Sequence, residues 1–252
     1  MSAYQKLLTA FLQAGYTLIP CYQTIHQSTD QGKWLTLRHD VDNFPGRALK
    51  MAALEHQLGI RSSYYFRFHP KVFHRKYIDA IQQWGHEIGY HYENLCQLKG
   101  NKQLALQQFR SHLQAFRTIC PIQTISPHGS PLSRYNNQEM WEQDEYKSLG
   151  ITLDVSKDIN FDNTLYLTET GRSWNSPFNR RDRVAGGIKS NYRTTLEIIQ
   201  ALQTNQFPSP VMLNVHPQRW NDHWIPWYME KWGQLQKNWV KYVFFQQKGT
   251  DR

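Results

Sequence analysis

KYIDAIQQWGHEIGYHYE, residues 76–93, contains a helix and a strand in direct succession. Residues 76–85 have helical spacing and end in Gly85, a residue type that often follows the last turn of a helix. EIGYHY, residues 87–92, has strand composition. A helix that leads directly into a strand is the repeating unit of a parallel sheet, so this stretch predicts an α/β fold.

The same alternation continues on both sides of this stretch, with short connections and no internal repeat or linker. It predicts one domain over residues 1–252, with an N-terminal helical extension (1–28) and a Trp-rich C-terminal helix (224–245). Further helices are predicted at 4–14, 46–59, 101–119, 137–150 and 192–205, and further strands at 34–42, 62–68, 123–129, 151–156, 165–170 and 211–217.

Charge and cysteine content restrict the partners and the compartment. The net charge is +9 and the sequence pI is about 9.4, which favours phosphate-bearing partners or simply serves solubility. No Lys/Arg block or nucleic-acid-binding motif is present, so nucleic acid is not expected. Three cysteines without a C-x-x-C pair, an interrupted apolar N-terminus and no apolar run of about 20 residues predict a cytoplasmic protein without a transmembrane helix.

Acidic and histidine side chains stand at the ends of four predicted strands. In parallel α/β folds, ligands bind at the carboxyl ends of the strands, where these side chains would meet. Four converging strand ends are harder to explain by core packing than any single histidine. The residues are Asp40 and Asp42, His91 and Glu93, His128, and His216.

Strand parity groups these side chains further. Arg38, Asp40 and Asp42 share one face of their strand, and two carboxylates on one face favour a cation or a proton between them. His91 points to the opposite face from His86, so His86 is predicted to be structural. The sequence therefore indicates a metal or acid/base site that includes His91.

Simpler interpretations exist for each residue taken alone. Asp40 and Asp42 could cap the following helix and pair with neighbouring arginines. His128 could be an ordinary turn residue, and His216 could simply end a strand before proline. The joint occurrence of these residues favours the site.

Three motifs resemble those of the NodB-homology polysaccharide deacetylases, carbohydrate esterase family 4. The resemblance extends over about residues 34–217 and implies a distorted (β/α) barrel with fewer than eight strands. The motifs are RHDVD (38–42), GHEIGYHYE (85–93) and NVHP (214–217).

Longer strings are similar to a subgroup found with bacterial surface-polysaccharide genes, called WbmS-like. This similarity implies a role in surface-polysaccharide biosynthesis. The strings are HGSPLS (128–133), YLTETGRSW (166–174) and HPQRW (216–220).

The family resemblance implies roles for four residues. Asp40 would be the general base and Asp42 a metal ligand. His91 matches the first metal-binding histidine, and His216 would be the general acid. Zinc suits a site of imidazole and carboxylate ligands, and cobalt, nickel or manganese are compatible with it.

The sequence departs from the family pattern at two places. Leu95 occupies the position of the second metal-binding histidine, so a third ligand must come from elsewhere. His128 is the first choice and Glu93 the second. SPHGSP replaces an Arg-x-Pro-Tyr segment whose arginine orients the catalytic aspartate, and Arg38 could take over that task for Asp40.

Additional residues are expected to contact substrate or to line the pocket. Arg172 and Arg219 could each bind a phosphate bidentately or form ordinary surface pairs. The Trp- and Lys-rich helix 224–245 could contact a membrane peripherally at the inner face or be the last barrel helix. Glu169 and Asp154 also end strands. The predicted substrate-binding residues are Arg38, Glu93, Arg172, Trp174 and Arg219.

The combined interpretation is a metal-dependent hydrolase that removes an acetyl or formyl group from an amino sugar, carried on a lipid or a nucleotide. One alternative is an inactive barrel that binds a carbohydrate or nucleotide sugar, which Leu95 keeps open. Another is an amidohydrolase of a small non-sugar amide.

Overall fold

The computed structural model describes residues 2–27, 32–169, 173–174, 184, 187–188 and 190–220. The predicted helix 224–245 and Arg172 lie outside the described residues. Among the described residues, none of the helices combines the length and the apolar composition that crossing a bilayer requires.

A parallel sheet forms the centre of the described structure. Its strands follow one another with helices between most of them, as the sequence pattern predicted. In chain order they are β1 (Thr17–Ile19), β2 (Trp34–Val41), β3 (Ser63–Phe66), β4 (Glu87–Tyr92), β5 (Thr124–Pro127), β6 (Leu153–Asp154), β7 (Leu165–Thr168) and β8 (Val211–Val215).

Seven of these strands form one continuous path in the order β6-β5-β4-β3-β2-β8-β7, and β1 pairs with β2 beside it. Every pairing is parallel. Within the described residues β6 and β7 end the path, so the sheet is an incomplete barrel. The predicted distorted (β/α) barrel with fewer than eight strands is confirmed, because seven strands form its continuous path.

Six helices accompany the sheet in the described part of the chain. Most follow the predicted segments within a few residues. They are α1 (Ser2–Gln13), α2 (Pro45–Gln57), α3 (Arg75–Gln83), α4 (Asn94–Gln97), α5 (Lys102–Arg117) and α6 (Thr195–Gln203).

The predicted helix over 137–150 is wrong. Two 3₁₀ turns, Asn137–Met140 and Glu145–Leu149, occupy this segment instead. Trp141 between them is extended, and Gln143 has a positive φ of 53°, which no continuous α-helix accommodates. The apolar pattern here serves burial of Trp141 and Tyr146 in the core rather than a helical face.

The N-terminal segment 1–28 is more than a helical extension. After α1 the chain forms β1, which sequence reasoning missed, and Thr17 pairs with Trp34 of β2. Phe11 of α1 and Leu18 of β1 belong to the same buried cluster as Phe207. The segment therefore completes the sheet and the core around β2.

One buried cluster of polar groups lies behind β2, on the face opposite to Asp40. Glu55 of α2 is its centre: Oε1 lies 2.9 Å from Nε2 of His39, and Oε2 accepts a hydrogen bond of 2.9 Å from the Tyr64 hydroxyl. His86 donates from Nε2 to the carbonyl of Ala52 at 3.0 Å, which confirms its structural role. We call this group the Glu55 cluster; its members are Tyr4, His39, Glu55, Ser62, Tyr64 and His86.

Candidate active site

The carboxyl edge of the sheet brings the predicted site residues together. Parallel pairing aligns the strand ends, with His91 of β4 directly opposite Ser126 of β5 and Asp40 of β2 opposite Tyr65 of β3. Side chains at these ends therefore converge from strands that are far apart in sequence. The converging residues are Asp40 of β2 and Asp42 after it, Arg67 after β3, His91 of β4 and Glu93 after it, His128 after β5, Glu169 after β7 and His216 after β8.

Asp42, His91 and His128 form what we call the three-ligand cluster. Their donor atoms all lie within 4.8 Å of one another. Oδ1 of Asp42 is 3.6 Å from Nε2 of His91 and 3.7 Å from Nε2 of His128. Nitrogen and oxygen ligands about 2.0–2.2 Å from a tetrahedral zinc ion are roughly 3.3–3.5 Å apart, so these separations are close to those of a metal site.

Hydrogen bonds set the tautomers of both histidines. Nδ1 of His91 lies 3.0 Å from the carbonyl oxygen of Ser126, which can only accept, so Nδ1 carries the proton. Nδ1 of His128 lies 3.0 Å from the Glu93 carboxylate in the same way. In each neutral ring the lone pair is then on Nε2, the atom that faces Asp42.

Asp42 has an oxygen that only a cation or a solvent molecule would satisfy. Oδ1 is buried and has no hydrogen-bond partner among the described residues, whereas Oδ2 accepts from Nε2 of Gln218 at 3.1 Å. Burial alone raises the pKa of Asp42, but the three nearby histidines outweigh it and lower the pKa. The side chain is therefore an anionic donor with one free coordination position.

The other carboxylates of the site are already neutralised by arginines, whereas the described residues provide Asp42 with neither an arginine nor a lysine partner. A cation attracted to this edge of the sheet would therefore find its charge partner at Asp42. The three pairs are Arg38–Asp40 at 2.8 Å, Arg67–Glu93 at 2.7 Å and Arg219–Glu169 at 2.8 Å.

Asp40 is held rigidly beside the three-ligand cluster. Arg38 donates to both of its oxygens at 2.9 and 2.8 Å, and Asn214 donates to Oδ2 at 2.9 Å. Although burial raises the pKa of Asp40, the charge of Arg38 and of nearby histidines lowers it well below the usual range. The helix-capping alternative is wrong, because the residue before α2 is Phe44 and no side chain caps that helix.

His216 also lies beside Asp42, with its Nε2 4.0 Å from Oδ2 of Asp42. Its Nδ1 faces Oε1 of Glu169 at 3.6 Å, and its backbone N–H also donates to Glu169. Burial and Arg219 lower the pKa of His216, but Glu169 and Asp42 outweigh them and the pKa is raised. His216 therefore holds a proton more readily than an ordinary histidine does.

Glu93 and Leu95 occupy positions that the sequence alone left undecided. Glu93 accepts hydrogen bonds from Arg67 through both oxygens and contacts Nδ1 of His128 rather than pointing to Asp42. Leu95 is 3% exposed and packs in the core beneath α4. The structure therefore places His128, and not Glu93, in the three-ligand cluster.

The predicted substrate contacts need correction at two residues. Trp174 is 2% exposed, belongs to the core cluster around β8, and donates its indole N–H to Thr195 at 3.1 Å, so it is a core residue. Arg219 forms an ion pair with Glu169, so its guanidinium is already engaged by a carboxylate. Arg38 likewise binds Asp40, in the orienting role that was considered for it.

Sequence reasoning missed Arg67 and Asn214 and did not assign a partner to Glu169. A signal existed for Arg67, because it directly follows β3 as Asp42 follows β2. Asn214 shares its face with Arg38, its partner in the sheet register. Asp154 does not join the site; Tyr92 and Ser156 bind its carboxylate beneath the edge.

No family model matches the chain, and no curated protein matches it. Similar solved structures include a CE4 esterase from Streptococcus mutans, with a TM-score of 0.46, 14% identity and coverage of 93% of this chain and 91% of that chain. A family 4 carbohydrate esterase from Bacillus anthracis has a TM-score of 0.43 and 11% identity, covering 81% of this chain and 88% of that chain. The Xyl-CE4 domain of a multidomain xylanase from the hindgut metagenome of Trinervitermes trinervoides has a TM-score of 0.43 and 8% identity, with 82% and 84% covered. Their descriptions name the esterase family that the sequence motifs resemble.

Proposed function

We propose that the protein is a metal-dependent hydrolase that removes an N-acyl group from an amino sugar. The observation that carries this proposal is the three-ligand cluster of Asp42, His91 and His128. Asp40 lies 3.8 Å from His91 and His216 lies 4.0 Å from Asp42. Two imidazoles and one carboxylate leave coordination positions open, as catalytic zinc sites do. The family motifs in the sequence support the same reaction class.

The residues present fit a divalent cation. In the neutral form of both histidines the lone pair lies on Nε2, and Oδ1 of Asp42 is buried without a hydrogen-bond partner among the described residues. A bound ion would polarise the acyl oxygen and make a water molecule acidic enough for the weakly basic Asp40 to deprotonate. Zinc is the first candidate because imidazole and carboxylate suit it.

The flanking residues move the protons. Asp40 stays ionised because its pKa lies well below the usual range, and Arg38 and Asn214 hold it in place to accept a proton from the attacking water. His216, whose pKa is raised, donates its proton to the departing amine. Glu169 stabilises the protonated form of His216, since it faces Nδ1.

We further propose that the protein acts in bacterial surface-polysaccharide biosynthesis in the cytoplasm. The acyl group that it removes would be acetyl or formyl. The similarity of three sequence strings to the WbmS-like subgroup supports it. The net charge of +9 suits a substrate whose sugar is linked to a lipid phosphate or a nucleotide. The Trp- and Lys-rich segment 224–245 supplies a basic, aromatic stretch for peripheral membrane contact.

The metal content of the purified protein tests the proposal first. We expect about one divalent ion per chain by mass spectrometry and its loss in Asp42→Ala. Asp79→Asn is the control because, in the described part of the chain, Asp79 pairs with Arg75 away from the site. Absence of metal from the wild-type protein, even after reconstitution with zinc, cobalt or manganese, would contradict the proposal.

A panel of N-acetylated and N-formylated amino sugars, free and nucleotide-linked, then tests the reaction. We expect release of acetate or formate from at least one amino sugar and loss of release after metal removal. Turnover of small non-sugar amides alone would replace the sugar assignment. Binding without turnover in the metal-loaded protein would indicate a carbohydrate-binding barrel.

A further inference from the structure

His128 reaches the three-ligand cluster from a loop that the rest of the site holds in place. Its backbone N–H donates to the carbonyl of Tyr92 at 2.8 Å, and its carbonyl accepts from Asn137 at 2.7 Å. Asn137 is buried and also accepts from the N–H of Cys96 at 3.0 Å. The loop is therefore tied to the end of β4 and to α4, the helix that contains Leu95.

The imidazole of His128 is oriented by a carboxylate that is itself held by an arginine. Glu93 receives Nδ1–H of His128 at 3.0 Å, and Arg67 donates to Oε1 and Oε2 of Glu93 at 2.7 and 2.8 Å. All three side chains are at most one-fifth exposed. A histidine ligand whose second nitrogen binds a carboxylate has a set tautomer and a more basic ligand atom.

Arg67 also contacts the strand that carries the carboxylate ligand. Its Nη1 lies 3.4 Å from the backbone carbonyl of Asp42, while its Nε and Nη2 bind Glu93. One planar guanidinium thus spans the ends of β2 and β4, a geometry that a lysine cannot reproduce. Displacing Arg67 would disturb both Asp42 and His128.

We propose that Glu93 and Arg67 are a positioning pair that makes His128 a metal ligand. His128 would thereby replace the histidine that the family pattern has at the position of Leu95. Glu93 fixes the tautomer and direction of the imidazole, and Arg67 fixes Glu93 and the backbone at Asp42. In this role both residues act through His128 and the backbone at Asp42. This inference rests on the proposed function, because it concerns the same metal site.

Metal affinity measured without turnover tests the pair. Dissociation constants for Zn²⁺ and Co²⁺ are determined by chelator competition for the wild-type protein, Glu93→Ala, Glu93→Gln and Arg67→Lys. We expect about 10- to 100-fold weaker binding for Glu93→Ala and Arg67→Lys. Glu93→Gln should be affected less, because its amide oxygen still accepts from His128. Arg75→Lys, in an exposed ion pair, should match the wild type.

The visible spectrum of bound Co²⁺ separates positioning from general stability. A displaced His128 changes the ligand field, so the spectra of Glu93→Ala and Arg67→Lys should differ from the wild-type spectrum, whereas Arg75→Lys should not. Unchanged metal affinity and an unchanged Co²⁺ spectrum in folded Glu93 and Arg67 variants would disprove the positioning role of the two residues. The proposed function would remain intact. If Glu93→Ala does not fold, Arg67→Lys decides by the same criteria. A folded wild-type protein that binds neither ion would overturn both proposals.

Discussion

Asp40 near the end of β2 and Asp42 just after it lie two positions apart, yet their surroundings make them chemically different. Asp40 binds Arg38 through both oxygens, whereas Asp42 faces histidines and keeps Oδ1 without a hydrogen-bond partner among the described residues. An arginine-paired carboxylate is suited to orientation and proton transfer, and an unpaired one to holding a cation.

The substitution Asp40→Asn tests this division of roles. The amide that replaces the carboxylate cannot accept a proton from water, so we expect kcat to fall by about 10²- to 10⁴-fold, the usual contribution of a general base. Metal content should stay at the wild-type level, because Asp40 is not in the three-ligand cluster. Equal loss of metal in Asp40→Asn and Asp42→Ala would show that both carboxylates serve the ion.

The pH profile of Glu169→Gln tests the general acid. Burial lowers the pKa of His216, and Glu169 acts against burial by raising it. Removal of the Glu169 charge should therefore lower the pKa of His216, and the alkaline limb of kcat/KM should move to lower pH. The same limb should stay in place in Asp79→Asn; an unshifted limb in Glu169→Gln would exclude His216 as the group that this limb reports.

At the level of single elements, β4 contains Gly89 because a neighbouring side chain leaves no space for a Cβ. A Cβ at Gly89 would lie 2.3 Å from Cε1 of Tyr65, whose ring is fully buried and whose hydroxyl is hydrogen-bonded to Thr124 at 2.8 Å. That ring also packs under the guanidinium of Arg38. Gly89 therefore allows β3 and β4 to pair beneath the site.

Gly89→Ala should destabilise the protein by about 1–3 kcal/mol, since the inserted methyl group has no space and the ring cannot move freely. Thermal or urea unfolding measures the change. Gly46→Ala is the matched control, because Gly46 lies in α2, where alanine is favourable. A Cβ there would lie 3.6 Å from the nearest atom, which is an ordinary contact distance. A Gly89→Ala variant as stable as Gly46→Ala would disprove the close contact.

On the scale of the whole molecule, β2 separates two groups of charges with different tasks. One face carries Asp40 at the candidate active site, and the other packs His39 into the Glu55 cluster. The Glu55 cluster joins α1, α2, β2, β3 and the start of β4, and all of its members are buried. It therefore belongs to the stability of the fold rather than to the chemistry.

Glu55 should make stability depend on acid pH. Burial raises the pKa of Glu55, but His39, His86 and Ser62 outweigh burial and lower the pKa to about 2. An unfolded glutamate has a pKa of about 4.3, so this stabilisation is complete above about pH 4.5 and is lost as the pH falls towards 2.

Glu55→Gln should cost about 3–5 kcal/mol at neutral pH, because it leaves buried partners unpaired. Its free energy of unfolding should also fall less between pH 4.5 and 2 than that of the wild type. Unfolding curves across this range, with Asp79→Asn as the surface control, measure both effects. Parallel pH dependence in the wild type and Glu55→Gln would show that other carboxylates dominate acid unfolding.

The alternation of strands and helices, and the side chains at the strand ends, can be predicted from the amino-acid sequence. Both follow from local rules, since periodicity and parity depend on neighbouring residues only. The same local pattern failed at 137–150, where burial of Trp141 and Tyr146 required a left-handed residue between two turns. It also missed β1, whose three residues are too few to show a period.

The choice between Glu93 and His128, and the burial of Trp174, depend on long-range packing. Arg67 comes from a different strand than Glu93 and binds its carboxylate, which turns Glu93 towards His128 and leaves His128 to face Asp42. Trp174 is drawn into the core by Thr195 and its apolar neighbours. Such outcomes depend on residues that are far apart in the chain. Their distances in space are set by the pairing of the strands, which a local sequence pattern does not contain.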